Sequence, residues 1–182
     1  ARLVKNNRQA AGNVRGDALK AKLAERILAN DVFSIAVRPK ALTPLLISRY
    51  EPGHAYGSHV DDALMGGMRT DVSFTLFLAE PDSYEGGELV IEMPSGDERI
   101  KLHAGALLAY PSTSLHHVAP VTAGERLAAV GWARSFIREA GRREILFDLE
   151  RARRALFERD GKSAEFDLLS KSMANLLRMW VE

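Results

Sequence analysis

The sequence feature that most restricts the fold is a long stretch of short β-rich runs, extending from residue 44 to about residue 133. Val, Ile, Phe and Tyr recur in these runs, and Gly, Pro and Asp interrupt them at short intervals. The runs are LLISRY, YGSHVD, VSFTLFLA, GELVIEM, ERIKL, ALLAYP, LHHVAP and RLAAVGWA. About eight short strands at this spacing predict a β-sandwich or a double-sheet jelly roll.

Helical patterns lie on both sides of the β-rich stretch. Before it, RGDALKAKLAERILAN has an amphipathic repeat, with Asp17 as a start signal and Asn30 as a stop signal. The apolar positions of this predicted helix are Leu19, Leu23, Ile27 and Leu28. We therefore expect a mainly β protein with flanking helices, beginning with an N-terminal helix.

After Arg134 the pattern predicts a C-terminal helical hairpin, because RDGKS offers a Gly stop and then a Ser start. The first predicted apolar stripe is Ile145, Leu149, Ala152 and Leu156, and the second is Phe166, Leu169, Met173, Leu176 and Trp180. Packing within the same chain is the first interpretation of these stripes, and a homodimer contact is the alternative. We divide the chain into a jelly-roll domain, 1–138, and a C-terminal helical extension, 139–182.

Composition and charge exclude several kinds of protein. The net charge of +1 gives no support to a nucleic-acid or membrane partner, and no apolar run is long enough to cross a bilayer. The absence of cysteine excludes disulfides, zinc thiolate sites and cysteine nucleophiles, which fits a cytoplasmic protein. The opening ARLVKNNRQ reads like the middle of a protein, so we expect residues before Ala1.

One group of polar residues within the β-rich stretch predicts a metal site. His59 and Asp61 would point to the same side of a strand, because side chains alternate along it. SLHHVAPVTAGERLAAV resembles a β-hairpin turning near Val121, which would put His116 opposite Arg126 with their Cβ atoms about 5 Å apart. Two histidines and one carboxylate are the facial ligand set of non-haem Fe(II) oxygenases. A nearby Arg126 could bind the distal carboxylate of a cosubstrate.

These residues belong to segments that resemble the bacterial PKHD-type hydroxylases, Fe(II)- and 2-oxoglutarate-dependent dioxygenases related to prolyl 4-hydroxylases. The similarity is densest in RYEPGHAYGSHVDDALMGGMRTDVSFTLFLAEPDSYEGGELVIE and AGALLAYPSTSLHHVAPVTAGERLAAVGWARSFIR, and it includes KNNRQ and LFDL. It implies a double-stranded β-helix, iron bound by His59, Asp61 and His116, and 2-oxoglutarate held by Arg126. It also implies hydroxylation of a C–H bond, with 2-oxoglutarate and O2 as cosubstrates and ascorbate as a further candidate cofactor.

Other residues have less specific interpretations. Tyr50, Tyr56 and Tyr110 are candidates to contact the cosubstrate or to orient a ligand, with core packing as the alternative for each. Arg69 either faces the substrate or forms a local ion pair, and Gly86 and Gly87 serve a tight turn. The side chains that we expect outside the site are His54, His103, His117, Asp62, Trp132 and Trp180.

The substrate is expected to be a small molecule or a peptidyl residue. A dioxygenase acting on nucleic acid would need a basic groove with stacking aromatic residues, and the sequence does not display one. A non-enzymatic jelly-roll ligand-binding module would have no reason to pair an arginine with the third ligand. A catalytically silent scaffold, with the C-terminal hairpin as its partner surface, is the remaining alternative.

Overall fold

The structure is a computed structural model that describes residues 4–10 and 12–182. Its four helices are α1 Val14–Ala29, α2 Asp31–Val37, α3 Ala140–Asp160 and α4 Ala164–Trp180. Its strands are β1 Lys5–Asn6, β2 Arg8–Gln9, β3 Pro39–Leu42, β4 Leu46–Tyr50, β5 Ala55–His59, β6 Leu64–Met65, β7 Met68–Arg69, β8 Val72–Phe77, β9 Tyr84–Gly86, β10 Leu89–Ile91, β11 Glu98–Ile100, β12 Leu107–Pro111, β13 His116–Val118, β14 Val121–Gly124 and β15 Arg126–Ser135. The predicted mainly β class with flanking helices is confirmed.

Two antiparallel sheets enclose the interior of the domain. The first, which we call the major sheet, has the order β12-β8-β15-β4-β2, and β3 also pairs with β15. The second, the minor sheet, has the order β1-β5-β13-β10-β11. Every pairing within them is antiparallel, as expected of a jelly roll built from β-hairpins and longer crossovers.

The two faces of the major sheet have different surroundings. Alternate residues of β8 and β15 pack against α1 and α2 in the main apolar core, which includes Ile27, Phe33, Val37, Leu45, Val72, Phe74, Leu76, Ala129 and Ala133. The residues between them face the minor sheet and line a cavity. Because side chains alternate along a strand, one long strand can serve both the core and the cavity.

The N-terminal helix begins earlier than its sequence suggested. The side chain of Asn13 accepts a hydrogen bond of 2.7 Å from the Gly16 amide, so Asn13 is the cap and the prediction of Asp17 is wrong. The predicted end at Asn30 is confirmed, and the Asn30 side chain also caps α2 by accepting from the Phe33 amide at 2.9 Å. The short helix α2 was not predicted.

The C-terminal helical hairpin is confirmed, but the apolar stripe predicted for α3 is wrong. Ile145 is 48% exposed, whereas Leu146 is fully buried. Polar contacts select this face, because the guanidinium of Arg143 donates to the carbonyl oxygens of Ile137 and Arg138 at 2.9 and 2.8 Å. The stripe predicted for α4 is confirmed around its buried residue, Met173. The division at residue 138 stays a prediction.

None of the helices in the described ranges is long and apolar enough to span a bilayer.

Candidate active site

The two histidines and the aspartate of the predicted metal site converge. His59 ends β5 and lies directly opposite His116, the first residue of β13. Asp61 follows β5 by two residues, and its carboxylate oxygens lie 3.7 Å from Nε2 of His59 and 3.7 Å from Nε2 of His116. One ligand atom from each of the three residues lies within 4.8 Å of the others, so a single metal ion can be bound by all three.

Local hydrogen bonds fix both imidazole rings in the orientation that a metal needs. Nδ1 of His59 lies 2.8 Å from the carbonyl oxygen of Gly57, and Nδ1 of His116 lies 3.0 Å from that of Ser114. Nδ1–H therefore donates in each ring, which leaves the Nε2 lone pair for a ligand bond. Burial also lowers the pKa of His59, so its neutral form is favoured.

The carboxylate of Asp61 is oriented by the opposite sheet. The hydroxyl of Ser73 on β8 donates to Asp61 Oδ2 at 2.6 Å and lies 2.8 Å from the hydroxyl of Ser112. A hydrogen-bonded carboxylate keeps its position when a metal is bound. The sequence offered no signal for this contact, because Ser73 is one small residue in an otherwise apolar strand.

Arg126 reaches the same cavity as the three ligands, but not through the predicted hairpin. β13 pairs with β5 and β10, whereas Arg126 begins β15 in the major sheet, opposite Tyr50. The intervening β14 pairs with β9 and forms a separate ribbon. The predicted pairing of His116 with Arg126 is therefore wrong, and the two residues instead line the same cavity from opposite sheets.

The Arg126 guanidinium is a buried charge without an acidic partner among the described residues. The residue is 1% exposed, and its guanidinium lies 5.1 Å from the ring centroid of Tyr50 and 5.6 Å from that of Phe77. Its Nε makes no hydrogen bond with any residue that the structure describes. Burial lowers the pKa of Arg126, and the neighbouring tyrosines oppose that shift. An uncompensated buried cation is costly, so this end of the cavity is suited to an anion.

Sequence patterns did not reveal the roles of two further residues at this end of the cavity. The buried hydroxyl of Tyr84 lies near the Arg126 guanidinium, and its oxygen has no hydrogen-bond partner in the described part of the chain. A Cβ atom at Gly87 would lie 2.9 Å from Val121 Cγ2, 3.1 Å from Arg126 Cδ and 3.2 Å from Tyr84 Cε2. Gly87 therefore keeps open the space beside these side chains, in addition to adopting the positive φ of its turn.

The three tyrosines singled out in the sequence all line the cavity. Tyr56 stacks on His59 with 3.8 Å between ring centroids, and burial raises the pKa of Tyr56 to about 12. Burial also raises the pKa of Tyr50 and of Tyr110, so all three hydroxyls keep their protons near neutral pH. Trp132, predicted as a core residue, also lines the cavity, and its indole Nε1 is buried without a partner among the residues described.

The remaining histidines lie outside the site, as predicted. His117 faces away from the cavity and its Nδ1 lies 2.9 Å from Oε1 of Glu92. His103 is exposed and lies 3.1 Å from Glu80, and Nδ1 of His54 accepts a hydrogen bond within its own turn.

Arg69 forms a local ion pair, which was one of its two interpretations. Its guanidinium donates to both carboxylate oxygens of Asp71 at 2.8 and 3.2 Å and to Glu182 at 2.8 Å. Asp62 is exposed, and its backbone oxygen accepts from the Thr70 hydroxyl at 2.6 Å. Neither residue contributes to the cavity lining.

Comparison with known proteins agrees with this geometry. A model of the 2OG-Fe(II) oxygenase superfamily matches residues 45–134, a range that contains all three candidate ligands and Arg126. The chain is 57% identical to a PKHD-type hydroxylase of Picosynechococcus sp. and 53% identical to one of Maricaulis maris. Each alignment covers 100% of this chain, and the two alignments cover 84% and 83% of those relatives.

Solved structures support the fold alone. A Pseudomonas putida prolyl-4-hydroxylase has a TM-score of 0.52 and 24% identity, with 74% of this chain and 76% of that chain covered. A Trichoplax adhaerens prolyl hydroxylase, in complex with a peptide fragment of hypoxia inducible factor, has a TM-score of 0.54 and 18% identity, with 70% and 61% covered. These likenesses confirm the predicted jelly roll.

The fold and the His-Asp-His site define a 2-oxoglutarate-dependent dioxygenase. Within that class, the chain belongs to the PKHD-type hydroxylases, because its identity to them extends over its whole length.

Proposed function

We propose that this chain hydroxylates a C–H bond of a small-molecule or peptidyl substrate, while 2-oxoglutarate is converted to succinate and CO2. One observation carries the proposal: the same cavity is lined by three metal donors and by a buried guanidinium that has no acidic partner among the described residues. The donor set suits Fe(II), because two imidazoles and one carboxylate on one side of an ion leave coordination positions open. Bound iron would supply the activation of O2 that protein side chains cannot provide.

His59, Asp61 and His116 would hold the iron, and the hydrogen bonds described above would keep their donor atoms aimed at it. Ser73 keeps the carboxylate of Asp61 in place, while the backbone oxygens of Gly57 and Ser114 hold the two rings. Fixed ligands avoid a rearrangement when the metal arrives.

Arg126 would bind the far carboxylate of 2-oxoglutarate through charge-assisted hydrogen bonds. The hydroxyls of Tyr84 and Tyr50 lie beside the guanidinium, and as protonated donors they can add hydrogen bonds to the same carboxylate. Tyr110 stands closer to the metal end, with its ring centroid 5.0 Å from that of His116, and could contact the near end of 2-oxoglutarate. Ascorbate as an additional cofactor stays a prediction.

The charges of the cavity favour a small-molecule or peptidyl substrate over nucleic acid. Its lining contains two cationic side chains, Lys5 and Arg126, and Arg126 is fully buried. A nucleic-acid groove would need several accessible cations along a backbone track together with stacking aromatic side chains.

The test is to incubate a cell extract with the protein, Fe(II) and 2-oxoglutarate in air. Mass spectrometry would search for products heavier by one oxygen atom, and succinate would be measured in parallel. His116→Ala should abolish both signals, and His117→Ala should preserve them, because His117 lies next in sequence but faces away. An extract in which wild-type protein yields neither succinate nor an oxygenated product would contradict the proposal.

A further inference from the structure

The cavity has a second cation, and its position differs from that of Arg126. Lys5 lies on β1, where it pairs with Tyr56 of the minor sheet. Three residues after Lys5, β2 begins and pairs with β4 of the major sheet, so the segment KNNRQ crosses from one sheet to the other beside the cavity. KNNRQ is one of the segments that resemble the PKHD-type hydroxylases, but the proposed chemistry assigns it no role.

The Lys5 ammonium lies close to the metal end. Its Nζ is 5.3 Å from the ring centroid of Tyr56, and that ring stacks on His59 with 3.8 Å between centroids. Lys5 lines the cavity together with His59 and Asp61, and it has no salt bridge within residues 4–10 and 12–182. Burial lowers the pKa of Lys5, while the negative charge of Asp61 opposes that shift.

The charges of the loaded cavity do not balance without a further anion. Its lining has three charged side chains: Lys5 and Arg126 are positive and Asp61 is negative. The two positive charges of Fe(II) and the two negative charges of 2-oxoglutarate cancel each other, which leaves one positive charge in excess. Since a partly buried, uncompensated charge is unfavourable, the loaded site is suited to a monoanionic group.

Arg126 and Lys5 are buried to different depths, which indicates that they bind different molecules. Arg126 is 1% exposed and lies where only a molecule that enters first can reach it. Lys5 is half-buried and belongs to the segment that joins the sheets, so its ammonium is more accessible than the Arg126 guanidinium.

We propose that the Lys5 ammonium binds a carboxylate of the primary substrate, which is therefore a carboxylic acid, and this inference rests on the proposed function. The single excess charge favours a carboxylate over a phosphate dianion. The Lys5 ammonium lies 5.3 Å from the centroid of the Tyr56 ring, which stacks on His59, so a carboxylate held by Lys5 would keep the rest of the substrate beside the metal ligands. The carboxylate held by Lys5 would fix which C–H bond of the substrate faces the iron.

The test uses the anaerobic complex of the full chain with Fe(II) and 2-oxoglutarate. Its visible charge-transfer band is recorded first for wild type, Lys5→Met, Lys5→Arg and Lys22→Met, where Lys22 is an exposed lysine of α1. Calorimetry then measures binding of N-acetylglycine, a minimal carboxylate, and of N-acetylglycinamide, its neutral counterpart.

We expect the band in all four proteins, and binding of N-acetylglycine but not of the amide by wild type. Lys5→Met should weaken N-acetylglycine binding about 10- to 100-fold, the effect of losing one charge-assisted hydrogen bond. Lys5→Arg and Lys22→Met should stay within about threefold of wild type, a difference of less than 1 kcal/mol.

Several results would overturn the inference while leaving the proposed function intact. These are equal binding of the amide, no binding of either probe, unchanged affinity in Lys5→Met, or a loss of 2-oxoglutarate affinity in that variant. The last result would assign Lys5 to the cosubstrate. If wild type develops no charge-transfer band, the proposed function is contradicted, and so is this inference.

Discussion

The two ends of the cavity are built by different sheets in different ways. At the metal end, His59 and His116 stand at the ends of short strands of the minor sheet, and Asp61 lies just beyond its strand. At the anion end, Arg126 begins the longest strand of the major sheet, whose other face packs on the helices. Metal ligands therefore come from strand ends held by local hydrogen bonds, whereas the guanidinium is held by burial.

The difference indicates how each end should respond to change. The metal end depends on a few directed contacts, each of which can be removed singly. The anion end depends on a buried charge that destabilises the empty protein and stabilises the complex with a diacid.

Asp61→Ala should abolish metal binding, because the carboxylate is the charged ligand of the three. Mn(II) serves as a redox-stable substitute for Fe(II), and calorimetry measures its affinity. We expect that affinity to fall by more than about 100-fold, because loss of a residue that merely hydrogen-bonds to a ligand already costs up to about 100-fold. Asp62→Ala is the matched control and should bind Mn(II) as wild type does, since Asp62 is exposed. Equal losses in both variants would mean that Asp61 is not a ligand.

Arg126→Met should weaken the binding of 2-oxoglutarate and at the same time raise the stability of the empty protein. Loss of one partner of a buried charge pair costs about 2–5 kcal/mol, so 2-oxoglutarate affinity should fall about 30-fold or more. The empty protein should unfold at a higher temperature, because an apolar side chain replaces an uncompensated buried charge. Mn(II) affinity should not change, and a parallel loss of Mn(II) binding would contradict the separation of the two ends.

Ser73→Ala tests the contact through which the major sheet supports the metal end. Without its hydroxyl donor at 2.6 Å, the carboxylate of Asp61 is free to rotate. Mn(II) affinity should fall about 10- to 100-fold. Ser73→Thr, which keeps the hydroxyl, should recover most of it, and failure of that rescue would assign the loss to packing.

Gly87→Ala should reduce 2-oxoglutarate affinity about tenfold, because overpacking of a filled site costs about 1–3 kcal/mol and the added methyl group would crowd Arg126 and Tyr84. Gly105→Ala is the control: its φ is also positive, at +89°, but no atom lies within 4 Å of the added Cβ. Both variants should lose stability, and only Gly87→Ala should lose affinity. If both variants bind 2-oxoglutarate with similar affinity, Gly87 does not contribute to the binding of 2-oxoglutarate at the anion end.

The sequence predicted most of the long elements, because their apolar periods are strong. β4, β8, β12 and β15, together with α4, lie where their patterns placed them. It failed for the buried face of α3, which is set by Arg143 rather than by the predicted apolar stripe, and for α2, which is too short to show a period. The two-residue strands β1 and β2 were equally invisible, since a strand of that length has no alternation to detect.

For the candidate site, the sequence predicted which residues meet but not how they meet. His59 and Asp61 converge, as their spacing suggested, although Asp61 lies outside the strand. The predicted hairpin placed Arg126 at the correct cavity through an incorrect pairing, because pairing symmetric about a turn cannot reveal that the chain changes sheets at β14. Tyr84, Ser73 and Lys5 were missed because their roles depend on contacts between segments distant in sequence.

Iron binding by the three ligands and 2-oxoglutarate binding by Arg126 are tested together by the visible spectrum of the protein with Fe(II) and 2-oxoglutarate under anaerobic conditions. If the three ligands hold iron and Arg126 holds the diacid, wild type and His117→Ala should both develop a charge-transfer band. His116→Ala should not develop it, although the two substitutions are adjacent and remove the same chemical group. A band that survives in His116→Ala, or one that is absent from wild type with stoichiometric Fe(II) and excess 2-oxoglutarate, would contradict the assignment.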